Sequence, residues 1–163
     1  MQLLPGTARL VAHLAAHGVQ LAIATGSERR NFARKTAHLQ HVFVHFGDRV
    51  VCGGEGGVGM RGKPFPDVFL AAARLLGRAV GSGDVVEGDG VVVGEAEREE
   101  RARGLVFEDA IPGVIAGKRA GMGGALSPLF LVLRCCLTCS GRSGVGSGRE
   151  PIKCRVVAAH GET

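Results

Sequence analysis

Three short segments constrain this chain most: ATGS at 24–27, GKPFPDVF at 62–69 and VFEDAIPG at 106–113. Two of them stand where an apolar run stops on polar residues and a helix-forming stretch begins within about three residues, the length of a strand-to-helix loop. The run at 19–24 follows the stop at Gly18 and has the continuous apolar character of a parallel strand covered on both faces. A second short strand is expected at 49–52 and another at 105–107. Helices are predicted at 5–17, 28–39, 66–76 and 111–120. Pro5 and Pro112 suit first helical turns, Ser27 is a candidate cap for the helix at 28–39, and Gly121 closes the last helix. Alternating strand and helix point to an α/β fold with a doubly wound, Rossmann-like parallel sheet.

A chain of 163 residues, 45% of them hydrophobic, buries one ordinary core. With no Trp or Tyr, that core rests on Val, Leu, Ala and seven Phe. The expected organisation is a core at 1–124 carrying an irregular insertion at 77–103, followed by a tail at 125–163. The insertion holds GSGD, EGDG and EAEREERAR, and reads as mobile with a helical turn or more near its end. The stretch at 125–136 could form one more strand or a short apolar helix. SGRSGVGSGREP has linker composition, so disorder is expected from about Ser140 onward.

The net charge of +5 is spread thinly, with 5 Lys or Arg against 2 acids in the last 39 residues. Without clustered cations and stacking aromatics, a nucleic-acid surface is not expected. MQLLPG breaks at Pro5 and meets Arg9 and His13 before any leader-like apolar region, and the strongest apolar run, 129–133, is far below the roughly 20 residues of a membrane span. The default is a soluble cytoplasmic protein. Five cysteines, four of them in the tail, fit reduced thiols better than a disulfide framework. Cys135, Cys136, Cys139 and Cys154 include one C-x-x-C, which is too little for a structural zinc site.

In parallel α/β sheets, ligands sit outside the carboxyl ends of the strands. Thr25, Lys63, Glu108 and Asp109 all fall at or just past such ends. The Thr25 hydroxyl can donate to a phosphate oxygen, and the amides of Gly26 and Ser27 at a helix start favour an anion. Lys63 supplies fixed positive charge, and adjacent carboxylates suit Mg²⁺. Singly, each has a plainer reading: a helix cap, a solvated turn lysine, surface acids. Their combination is what points to a cation and phosphate cradle.

That combination resembles the haloacid dehalogenase superfamily of hydrolases, in its phosphoglucomutase-like and pseudouridine-5′-phosphatase-like branch, over about 4–122 without the insertion. Gly62, Lys63, Pro64, Pro66, Asp67 and Phe69 match G-K-P-x-P-D-x-F. VFEDAIPGVIA matches V-F-E-D-[SA]-x-x-G-[VI]-x-A and is followed by the family's A-G-M at 120–122, with Gly117 in place of an alanine. The resemblance implies Mg²⁺-dependent hydrolysis of a small phosphate monoester (a nucleotide, pseudouridine 5′-phosphate or a sugar phosphate) through an aspartyl-phosphate. Thr25, Gly26, Ser27 and Lys63 would hold the phosphate, Lys63 would also act in catalysis, and Glu108 and Asp109 would hold the metal.

The family's opening D-x-D-G-[TV], which carries the nucleophile, has no counterpart before Pro5, and the cap domain that follows it is missing too. Glu87-Gly88-Asp89-Gly90-Val91 imitates it but lies inside the insertion, between glycine-rich flanks. The chain therefore reads as an incomplete hydrolase core, inactive by itself. The alternatives are a non-catalytic phosphate and Mg²⁺ binder, or an interaction module using the basic tail. Without the first strand, the sheet is expected to lack a middle element and to expose unpaired backbone groups.

Overall fold

The computed structural model describes residues 2–55, 59–83, 93–126 and 155–160. In chain order the elements are α1 (Thr7–Ala16), β1 (Leu21–Thr25), α2 (Arg29–Thr36), α3 (Gln40–Phe43), β2 (Val50–Val51), α4 (Asp67–Leu75), α5 (Glu95–Ala102), β3 (Gly104–Glu108), α6 (Ile111–Arg119), β4 (Gly123–Leu126) and β5 (Arg155–His160). The five described strands are all parallel, in the order β2-β1-β5-β3-β4. The expected doubly wound sheet is present.

Alternation along β1 divides the core. Ala22 and Ala24 face one side, with Val68, Phe69, Ala72 and Ala73 of α4 and Ala116 of α6. Leu21 and Ile23 face the other, with Val11 of α1, Phe32 of α2 and Val42 of α3. All five residues of β1 are buried, which is why the strand reads as a continuous apolar run rather than an alternating one. Small alanines on the α4 side admit the fully buried Phe69, whose burial contributes about 2–3 kcal/mol. The scarce aromatics gather on the opposite side, where Phe32 and Phe43 meet edge to face at 5.6 Å.

The helix expected over 28–39 is shorter. It starts at Arg29 after Glu28, with no side-chain cap, so Ser27 is not its cap. It stops at Thr36, whose hydroxyl donates to the Phe32 carbonyl at 3.0 Å, and the chain tightens into a 3-10 turn at Ala37–Leu39 before α3.

β5 corrects two expectations. Residues 155–160 lie in the range expected to be disordered, yet they form a strand, and that strand occupies the middle of the sheet. Leu21 pairs with Val156 and Thr25 with His160 on one side; Gly104 pairs with Arg155 and Phe107 with Ala158 on the other. The physical reason is hydrogen bonding: β1 and β3 each offer a backbone edge to this slot, and an extended segment with two β-branched valines satisfies both. The core sheet accordingly extends past 124, through β4 and β5.

The described ends of the insertion are packed. Val80 and Val93 are buried, and α5 provides the helix expected near its end. Arg101 is fully buried and donates to the carbonyls of Val80, Ser82 and Gly83 at 2.7, 3.2 and 3.0 Å. The rest of the insertion, the imitation motif at 87–91 and the four tail cysteines lie outside the described residues. No described helix is long and apolar enough to cross a membrane.

Candidate functional site

Because the strands are parallel, the carboxyl ends of β1 and β3 open on the same edge of the sheet, on either side of β5. Two strand spacings separate them, about 10 Å. β1 ends on Thr25, 1% exposed, and β3 ends on Glu108, 2% exposed. Both are polar groups buried at the mouth of an apolar sheet, which requires partners.

Glu108 has three. One carboxylate oxygen accepts from the Lys63 ammonium, and the other from the backbone N–H groups of Asp109 and Ala110 at 3.2 and 3.4 Å. Space for this carboxylate exists because residue 113, in the first turn of α6, is glycine. A Cβ there would stand 1.9 Å from the Glu108 carboxyl carbon and 2.2 Å from both its oxygens.

Lys63 also lies 3.5 Å from the Ala24 carbonyl oxygen, so its ammonium touches groups from both β1 and β3. The same ammonium lies over the Phe69 ring, 5.4 Å from its centroid. The loop that presents it is pinned by Asp67, whose carboxylate accepts from the Arg61 amide at 2.8 Å and from the Arg61 guanidinium at 3.0 Å. Burial raises the Asp67 pKa, but the Arg61 hydrogen bonds and charge outweigh it and hold the carboxyl below the usual range. Asp67 also opens α4, where the helix dipole favours a carboxylate. The motif thus works as a unit: Asp67 starts the helix and fixes the loop, and Lys63 projects from that loop into the site.

On the β1 side, the Ser27 amide donates to Thr25 Oγ1 at 3.1 Å. That amide, expected to face an anion, is turned onto the threonine. Ser27 is 3% exposed, and its Oγ accepts from Lys35 Nζ at 3.3 Å. Residue 53 closes the loop from behind. Its amide donates to the Ser27 carbonyl at 3.0 Å, and a Cβ on Gly53 would meet the Gly26 carbonyl oxygen at 2.1 Å. Arg29 steadies the neighbouring turn through Glu55 and the Val50 carbonyl, and this hydrogen bonding lowers the Glu55 pKa. Burial pushes the adjacent Cys52 thiol up.

The structure therefore brings Thr25, Gly26, Ser27, Lys63, Glu108 and Asp109 to one edge. Asp109 is exposed, whereas Glu108 is engaged by Lys63 and two amides. Among the described residues no three His, Cys, Asp or Glu side chains cluster as a metal site. A hard cation here would have Asp109 as its available carboxylate, and the described donor set is incomplete for Mg²⁺. Sequence reasoning missed Lys35, Gly53 and Gly113. Gly113 lay within a quoted motif, but its role follows from a contact across the turn, and Lys35 reads as one more base in an exposed RRNFARK run.

The family model described as haloacid dehalogenase-like hydrolase matches residues 1–121. (DL)-Glycerol-3-phosphatase 2 of Arabidopsis thaliana is 37% identical over 129 residues, covering 78% of this chain and 45% of that protein. A probable pseudouridine-5′-phosphatase of Drosophila melanogaster is 35% identical over 127 residues, with coverages of 78% and 46%. The crystal structure of a HAD hydrolase, family IA, variant 3, from Entamoeba histolytica superposes with a TM-score of 0.53 at 25% identity, covering 76% of this chain and 44% of that one. The chain thus spans less than half the length of each of these three proteins.

Proposed function

This chain belongs to the haloacid dehalogenase-like hydrolases, and from that premise we propose that it carries the phosphate-binding part of a phosphatase site for small phosphate monoesters. The observation that carries the reading is Lys63, held between the Ala24 carbonyl on β1 and the Glu108 carboxylate on β3. An ammonium fixed at the carboxyl edge of a parallel sheet is where charge on a phosphoryl group is best met. Thr25 adds a hydroxyl whose oxygen already accepts from Ser27, which leaves its proton to donate to the anion.

Each residue keeps a separate task. Glu108 orients Lys63, and Gly113 makes room for Glu108. Asp109 is the carboxylate available to a divalent cation, with Glu108 beside it. Hydrolases of this family generally use Mg²⁺, which would supply positive charge to the phosphoryl oxygens. The names of the relatives support a small organic phosphate as substrate, with polyol, nucleotide and sugar phosphates in range.

No D-x-D-G occurs in the 163 residues. Without an aspartate nucleophile the covalent route is closed, so this chain binds the anion and turns it over slowly or not at all. Isothermal titration of inorganic phosphate, with and without Mg²⁺, tests this. The expected result is saturable binding that Lys63→Ala weakens at least about tenfold, roughly 1.4 kcal/mol, and a Mg²⁺ enhancement that Asp109→Asn abolishes. An aryl phosphate should be hydrolysed at the uncatalysed rate. Phosphate heats that are unchanged in Lys63→Ala would sink the reading.

A further inference from the structure

Charge balance around the cradle is unfavourable for an anion. Lys63 contributes one positive charge, and Glu108 and Asp109 contribute two negative ones. The group as described is net negative where a phosphate would sit, so in the absence of a divalent cation further positive charge on the Thr25 side favours the anion. Lys35 is in the right place. It belongs to the last turn of α2, but its side chain runs back along the helix, as long helical side chains do, and its Nζ donates to the buried Ser27 Oγ at 3.3 Å. It is partly buried and has no carboxylate partner among the described residues. The nearby Arg29, by contrast, is paired with Glu55 and Arg61 with Asp67.

We propose that Lys35 is the second anion-binding cation of this site, reaching the phosphate of a monoester alongside the Ser27 hydroxyl. An ammonium can only donate, so its contact with Ser27 Oγ fixes that hydroxyl as acceptor toward Lys35. Ser27 is two residues from Thr25, whose own Oγ1 accepts from the Ser27 amide. Lys63 then serves the anion from between β1 and β3, and Lys35 from α2 beside Ser27. Lys63 is neutralised by Glu108 at rest, whereas Lys35 brings uncompensated charge. The inference rests on the phosphate-site reading above and adds a residue to it.

The test is phosphate titration without Mg²⁺, where no metal masks the lysine's contribution, on the full chain and on Lys35→Met, Lys35→Arg and Ser27→Ala, with Lys63→Ala as reference. Lys35→Met should weaken phosphate binding about tenfold and flatten its salt dependence, and Lys35→Arg should recover most of the loss. Ser27→Ala should make the Lys35→Met effect smaller, since the two act together. Thermal melts without phosphate should be unchanged by Lys35→Met, and if that variant unfolds, Lys35→Arg and Lys35→Gln carry the comparison. Wild-type affinity in Lys35→Met together with lost affinity in Lys63→Ala overturns the role of Lys35 and leaves the site standing. No phosphate binding by the unmodified chain overturns both.

Discussion

Glu108 shows how one side chain's chemistry depends on what its neighbours lack. Its buried carboxylate is tolerable because Lys63 and two amides reach it, and because α6 presents no Cβ at Gly113. Gly113→Ala would force the carboxylate or the helix to move, since both oxygens lie 2.2 Å from the new carbon. The expected result is a destabilisation of about 1–3 kcal/mol, together with weaker phosphate binding as Lys63 loses its anchor. Gly94→Ala, where a Cβ meets nothing within 4 Å, should cost less in the same urea and thermal melts, its only penalty being a poorer N-cap for α5. A Gly113→Ala melt that matches Gly94→Ala would refute this account. Glu108, Asp109, Lys63 and Thr25 could be nominated from sequence because each sits at a predicted strand end or inside a specific string. The mutual contacts could not, because they join residues 39 and 45 positions apart.

At the scale of elements, β5 has the largest consequence. β1 pairs with β2, and β3 with β4, but β1 and β3 meet only through β5. The halves of the cradle therefore hang on separate hairpin-free strand pairs that β5 joins. Val157 stands opposite Ala22 on one side and Val106 on the other. A proline there lacks the N–H and cannot serve a central strand, so Val157→Pro should cost about 3 kcal/mol or more. Deleting residues 155–163 should abolish a cooperative melt and produce aggregates on size-exclusion chromatography, as the exposed edges of β1 and β3 find other partners. A truncated chain with the parent's melting temperature would mean that the slot is dispensable. β1 and α4 were legible because apolar runs and a 3.6-residue period mark them. β5 was not, since six residues behind a Gly/Ser/Arg stretch carry no period, and only two open backbone edges make a strand of them.

For the molecule as a whole, acid should be a sensitive variable. Asp67 and Glu55 have carboxyls held below their usual values by Arg61 and Arg29, so each contributes stability that is present above the unfolded-state value, near pH 4, and is lost as pH falls through the lower folded value. The unfolding free energy should therefore drop below about pH 4, and Asp67→Asn should flatten that decline. A pH profile of chemical denaturation midpoints checks it, and an unchanged acid limb in Asp67→Asn would remove Asp67 from the explanation. By itself the sequence determined the parallel α/β class, the strand ends at Thr25 and Glu108, and the family, because these depend on short-range apolar patterning and contiguous strings. Only the tertiary structure decided which strand fills the middle of the sheet, that Lys63 bridges β1 and β3, and that Lys35 reaches Ser27. Those outcomes depend on backbone groups and charges far apart in the chain, whose need for partners becomes definite only once the sheet has closed around them.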